Sequence, residues 1–175
     1  PKPGNVDRSR DFDDLRFEHF MAGAVGARPG LELAADGEPV GRAFADAVAG
    51  MADQSAGNTQ FGALLLLTPL VAAAGEGDLT PAGADRVARA TTVADAADFY
   101  RAFEHVDVAV DDPPEGLEPL DGRRGSEAIP ELETQGLTLF DVMDESADED
   151  GIAAEWVREF TRVFDAAQAL LADDG

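Results

Sequence analysis

Gly57-Asn58-Thr59-Gln60-Phe61-Gly62-Ala63-Leu64-Leu65-Leu66-Leu67-Thr68-Pro69-Leu70-Val71-Ala72-Ala73-Ala74 is the stretch whose reading decides the fold. It opens on small polar residues and then runs apolar on every side, with no charge before Glu76. A helix that is apolar all round belongs inside a shell of other elements. The glycines, Asn58, Gln60 and the two threonines confine the continuous apolar run to Phe61–Leu67, too short to cross a bilayer. The expectation is therefore an all-α, compact multi-helix domain wrapped around a buried central helix at about residues 58–74. Pro69 is expected to kink that helix or end it early. Its polar start offers unpaired N–H groups and the positive end of a helix dipole, a natural seat for an anion.

The rest of the chain supports the same class. Residues 1–16 read as a turn-rich, charged loop, with Pro1 and Pro3 around Lys2 and Gly4 permitting a bend. Phe17, Phe20, Met21, Ala24 and Val25 recur at helical spacing and predict a helix ending near Arg28-Pro29-Gly30. A second helix starts near Pro39 and carries Val40, Phe44, Val48 and Met51 on one face. Thr80-Pro81 predicts an N-cap followed by proline at the first helical position, with the helix running to Arg89. Thr92 with Asp95 predicts a capping box. Val106–Val110 alternates like a short strand without a visible partner, and 111–136 reads as a long connection rich in Pro, Gly and acid. A short helix is expected from Thr138 to Glu145 and a last one from about Asp150 to Ala172. We read residues 1–175 as a single helical domain. The missing initiator Met and the stop soon after a helix suggest truncation at both ends.

Composition narrows the function classes. Net charge is −23, from 22 Asp and 14 Glu against 12 Arg and a single Lys, yet 45% of residues are hydrophobic. That combination folds, and it resembles the halophilic surfaces of proteins adapted to concentrated salt, where screening relieves self-repulsion. So negative a chain lacks the basic patch that nucleic acid requires. There is no cysteine, which removes disulfides, thiolate metal sites and thiol nucleophiles. With neither a signal peptide nor a membrane span in view, a cytoplasmic location is expected.

Acidic clusters are weak candidates. Asp144 to Glu155 approaches the spacing of a calcium-binding loop, but Glu149 stands where that loop needs glycine, so an acidic helix start is the better reading. Asp11, Asp13 and Asp14 read as a solvated run that could hold a metal. His19 and His105 have no metal-ligand partner at helical spacing. The scarce residues say more. Lys2, the only lysine, lies with Arg8 and Arg10 in the most basic decapeptide, and Asn58 is one of only two asparagines. A lysine point charge suits phosphate, and Asn58 at a helix start can cap the helix, hold ribose or phosphate, or do both. Arg123-Arg124-Gly125 is the other basic pair.

These segments resemble a known family. Pro1-Lys2-Pro3-Gly4-Asn5-Val6-Asp7-Arg8 is similar to the PKPGLVDR stretch of triphosphoribosyl-dephospho-CoA synthases. Gly57-Asn58-Thr59-Gln60-Phe61-Gly62-Ala63 resembles their GVNTHKG segment, and more nearly the TNxG form of divergent members. Arg124-Gly125-Ser126-Glu127-Ala128 looks like their RGEA segment. The resemblance implies an all-helical enzyme that moves the triphosphoribosyl group of ATP to the 2′-hydroxyl of a dephospho-CoA-like acceptor, releasing adenine, with Mg²⁺. It further implies Asp7, Asn58 and Glu127 at the reacting centre and Asp7 with Asp13 toward the metal. Lys2, Gly4, Arg8 and Arg124 would hold phosphates, and Asn58, Thr59, Gln60 and Gly62 would line the nucleotide at the helix start. The chain departs from the pattern in two places. Gln60-Phe61 replaces the family's His-Lys, and the later segment with an Asp-Thr core is missing. Two other readings stay open, a non-catalytic nucleotide-binding helical module and a metal-dependent small-molecule hydrolase using Asp7, Asp11 and Asp13. A homodimer is also open.

Overall fold

The computed structural model describes residues 6–13, 15–106 and 121–173. Among them are nine α-helices and no strand; the one β-type pairing is the isolated bridge between Asp7 and Arg10. The all-α expectation holds. The alternating stretch 107–110 and the connection up to 120 lie outside the described residues.

The first layer is α1 (Phe17–Ala35) packed along α2 (Val40–Ala52), with α3 (Phe61–Gly75) against both. The face α1 buries differs from the one its large apolar residues predict. Gly23, Ala27, Gly30 and Ala34 are buried, whereas Met21 is 52% and Val25 71% exposed. The cause is a backbone-to-backbone crossing. A Cβ on Gly26 would lie 2.1 Å from the Gly50 carbonyl oxygen, and one on Gly30 2.2 Å from the Ala47 nitrogen. Only a stripe of small residues permits that approach, and it turns the bulky side of α1 outward.

Both prolines are carried inside their helices, which corrects the expected stops. α1 continues past Pro29 to Ala35. The donor Pro29 lacks would have served the Val25 carbonyl, four residues back on an exposed turn where water can reach it. In α3 the same vacancy falls inside the core. Pro69 cannot donate to the Leu65 carbonyl, and the Trp156 indole N–H donates to it instead, at 3.1 Å. Trp156 is fully buried. The central helix is thus continuous, although it starts at Phe61, three residues later than expected. It is also not enclosed on all sides, since Leu67 is 43% exposed. Its remaining faces meet α1, α2, α4 and α8.

The second layer contains α4 (Pro81–Arg89), α5 (Val93–Ala102), a 3-10 turn (Phe103–His105), a kinked 3-10 segment (Gly122–Ala128), α6 (Ile129–Gln135) and α7 (Leu139–Ser146). The Thr80 side chain accepts from Gly83, and both halves of the Thr92/Asp95 capping box form. Asp95 has a second task. Its Oδ1 accepts from Gly41 N–H at 2.8 Å, capping the start of α2, whose own N-cap, Pro39, forms no side-chain cap. Helix α6 lies within the expected long connection and corrects that reading; its Pro130 sits in the first helical turn, where proline is tolerated.

The expected last helix is two. α8 (Gly151–Val157) and α9 (Thr161–Asp173) are separated by Arg158–Phe160, with Glu159 and Phe160 at φ 56° and 54°. Left-handed backbone at two non-glycine residues costs about 1–3 kcal/mol each. Two contacts hold the bend. Phe160 is fully buried with its ring 6.1 Å from Trp156, and the buried Glu155 carboxylate accepts from Val163 N–H at 3.2 Å. Asp150 caps α8 through Ile152 and Ala153, as the acidic-helix-start reading requires. One contiguous core runs from Ala27 to Phe160, with Phe44, Phe61, Phe99 and Tyr100 within it and Phe103 packed edge-on against Phe99.

Candidate nucleotide site

The site is built around the turn that joins α2 to α3. Gly57 takes φ +66°, a conformation costly for any side-chain-bearing residue, and sends the chain off the end of α2. Gln54 braces the turn from below. Its side-chain amide donates to the carbonyls of Met51 and Gly57, and its Oε1 accepts from Ala56 N–H at 2.7 Å. Asn58 Oδ1 accepts from Phe61 N–H at 3.1 Å, capping the first amide of α3. The following amides, Gly62 and Ala63, belong to the turn of a helix that has no intrahelical partners to offer. The Asn58, Thr59 and Gln60 side chains are all half-buried here.

Gln60 joins this turn to α1. Its Nε2 donates to the Phe20 carbonyl at 2.7 Å, its Oε1 accepts from Thr59 Oγ1 at 2.9 Å, and its backbone N–H points to Met51 Sδ at 3.1 Å. The amide of Gln60 is therefore committed to bracing the site. Gly23 of α1 completes the junction, since a Cβ there would lie 2.5 Å from Thr59 Oγ1. Gly62 answers a packing demand of the same kind, with Ile152 Cδ1 2.5 Å from where its Cβ would stand.

The N-terminal motif reaches the same end of α1. Asp7 and Arg10 exchange backbone hydrogen bonds of 2.9 and 3.1 Å, and Asp7 Oδ1 accepts from Ser9 N–H at 2.7 Å. The Arg8 guanidinium carbon stands 5.9 Å from the Phe17 ring centroid, at the mouth of α1. Asp11 Oδ1 accepts from Phe17 N–H at 3.1 Å and so caps α1, while Asp13 is exposed. Lys2 and Gly4 lie outside the described residues. No group of three or more His, Asp or Glu among the described residues could hold a metal ion. Mg²⁺ on one or two carboxylates and the substrate's own phosphates needs no such group.

Arg124 and Glu127 belong to the kinked segment Gly122–Ala128. Arg124 N–H donates to the Asp121 carbonyl at 3.0 Å and its guanidinium to the Glu127 carbonyl at 3.2 Å, with Gly125 between them at φ +51°. The segment packs over Tyr100 and Glu104. Burial, and next the charge of Asp121, push the Tyr100 phenol above its usual pKa, while Arg124 pulls the other way. The aromatic cluster lies between the two motif segments. Phe61 is 4.9 Å from Phe103, which is 6.2 Å from Tyr100. The described contacts place neither Arg124 nor Glu127 against Asn58.

His19, which has no metal-ligand partner at helical spacing, also reaches this loop. Its Nδ1 accepts from Arg16 N–H at 3.2 Å, and its Nε2 faces Ser55 Oγ at 3.5 Å, on the rim of the same loop. With Nδ1 accepting, neutral His19 carries its proton on Nε2, toward the loop. The missed signal was its position two residues into the helix that follows the basic motif.

The described residues thus form an all-helical domain with two family-like motif segments meeting at one helix start. The family model for CitG, ATP:dephospho-CoA triphosphoribosyl transferase, matches residues 1–174, and the chain belongs to that family. The fold is similar to the crystal structure of a candidate triphosphoribosyl-dephospho-CoA synthase from Archaeoglobus fulgidus, with a TM-score of 0.66 and 27% identity over 90% of this chain. The chain spans 63% of that protein's length. No curated protein matches the sequence.

Proposed function

We propose that the chain transfers the triphosphoribosyl group of ATP to a hydroxyl of a dephospho-CoA-like acceptor. In that step the bond from ribose C1′ to the adenine nitrogen breaks, and a bond from C1′ to the acceptor oxygen forms. The acceptor's hydroxyl proton is balanced by the proton that adenine takes up as it leaves. Membership of the family supports the reaction class. The observation that carries the site is the 2.7 Å bond from the Gln60 amide to the Phe20 carbonyl, which sets the Asn58–Thr59 turn against the helix that follows the Asp7–Arg8 motif.

Asn58, Thr59 and the first-turn amides of α3 orient phosphate or ribose, and the cations Lys2 and Arg8 draw the triphosphate toward them. A Mg²⁺ ion, when bound, neutralises phosphate charge, with Asp7 and Asp13 as its protein carboxylates. Breaking the C–N bond develops oxocarbenium character that an adjacent carboxylate stabilises; Asp7 is the candidate on the α1 side of the turn. The site lies in a protein that acts in the cytoplasm on small molecules. Among the described residues no helix is long and apolar enough to cross a membrane.

The test is to incubate the chain with ATP, Mg²⁺ and dephospho-CoA in concentrated KCl and assay free adenine. Adenine release supports the transfer. Release of ADP or phosphate instead would identify a hydrolase. Asn58→Ala is expected to weaken ATP binding about tenfold with the fold retained, as loss of a polar contact to a charged group implies. Unchanged binding would remove Asn58 from the site.

A further inference from the structure

The close crossing of α1 on α2 leaves an open depression of about 600 Å³ on the outer surface, lined by Met21, Ala22, Val25, Gly26, Gly50, Asp53 and Gln54. Its origin is the turning of α1 described above. Small residues face inward, and bulky Met21 and Val25 are left outside at 52% and 71% exposure. Gly26 and Gly50, which meet backbone to backbone, contribute no side chain to its lining. An open, mostly apolar lining bare of side chains at its glycines leaves room for a planar ring.

The depression adjoins the candidate nucleotide site. Gln54 lines it and, through the same side chain, holds Ala56 and Gly57 of the motif turn. On α1, Phe20 and Gly23 touch Gln60 and Thr59, while Met21 and Ala22 between them face the depression. Its only charged lining residue is the exposed Asp53, an acceptor that repels phosphate and suits an amino group. A second copy of this chain is disfavoured at low salt, because two chains of net charge −23 each would have to meet.

We propose that this depression seats an adenine ring, stacked on Met21 and Val25, with its exocyclic amino group donating to the Asp53 carboxylate. The assignment of the ring to ATP or to the acceptor rests on the transferase reading, since both carry adenine; the binding of the ring itself does not.

The test is titration calorimetry in concentrated KCl with adenosine, guanosine, inorganic tripolyphosphate, ATP and dephospho-CoA. It uses the wild-type chain, Ala22→Trp, which fills the depression from an exposed position, and Asp53→Asn. Thermal melts confirm that both variants fold. Ala22→Trp is expected to weaken adenosine by about tenfold or more and to leave tripolyphosphate within about twofold, with Asp53→Asn weakening adenosine by about threefold or more. A parallel loss for ATP alone assigns the ring to the donor, and one for dephospho-CoA alone to the acceptor. Adenosine binding that Ala22→Trp leaves intact, guanosine binding tighter than adenosine, or no adenosine binding at all overturns the proposal. So does a dimer that Val25→Glu splits without changing adenosine affinity, which would make the face an interface between copies. Adenosine bound in the depression with no adenine released from ATP would sink the transfer reaction and leave the ring site standing.

Discussion

Asp95 shows how much a single carboxylate can hold. Buried at 4% exposure, it accepts from Thr92 N–H and Oγ1 on its own helix and from Gly41 N–H on α2. Asp95→Ala removes three charge-assisted bonds and leaves the Gly41 amide without its buried acceptor. We expect a loss of about 3 kcal/mol or more, read as a lower denaturant midpoint. Half of this arrangement is legible in the sequence, because a capping box is local and Thr92 lies three residues from Asp95. The bond to Gly41 spans 54 positions and leaves no local mark. Tyr100 makes a second prediction at this scale. Its phenol is held above the ordinary value of 10, chiefly by burial, so the folded chain keeps the proton after the unfolded chain releases it. Stability is then unaffected below pH 10 and falls as pH rises beyond it, and the fall should be shallower in Tyr100→Phe. Among site residues, Asn58 and Thr59 were visible because rare or polar residues stood at an apolar helix's start. His19 was not, since its approach to Ser55 depends on how α1 crosses the loop.

At the scale of elements, the prolines mislead because their cost is local and its remedy is not. Pro69 should interrupt α3, yet Trp156, 87 residues further along the chain, supplies the missing donor to Leu65. Trp156→Phe is expected to cost about 1–3 kcal/mol more than its lost packing, because a buried carbonyl loses its donor. In a Pro69→Ala background the alanine N–H can serve Leu65, so the same change should cost less; a double-mutant cycle by chemical denaturation checks the coupling. The break between α8 and α9 was equally hidden. Neither glycine nor proline stands at 158–160, and the bend is held by Phe160 in the core and by Glu155 of α8, whose carboxylate accepts from Val163 N–H in the first turn of α9. By contrast, the face of α2 was read correctly, since Val40, Phe44, Val48 and Met51 are apolar, periodic and buried. Helix α1 defeated the same reasoning because its contact is made by the absence of side chains.

For the whole molecule, charge dominates. The ion pairs of Arg28 with Glu32 and of Arg86 with Glu76 and Asp78 are exposed and contribute little individually. They cannot offset a net charge of −23. Raising KCl from about 0.1 M to 1 M shortens the screening length from about 10 Å to about 3 Å, so the melting temperature should rise, by about 2–4 °C for each kcal/mol of repulsion relieved. A scan of melting temperature against KCl, with a melting point independent of salt as the contrary result, decides whether the surface is salt-adapted. The indole that completes α3 also equips the molecule for such measurements. Trp156 is the only tryptophan and is fully enclosed at the junction of α3, α8 and Phe160. Its intrinsic fluorescence is therefore a native, label-free gauge of that junction. Emission moving to longer wavelength will signal that the core has opened, while a ligand on the α1–α2 side can bind without disturbing the readout.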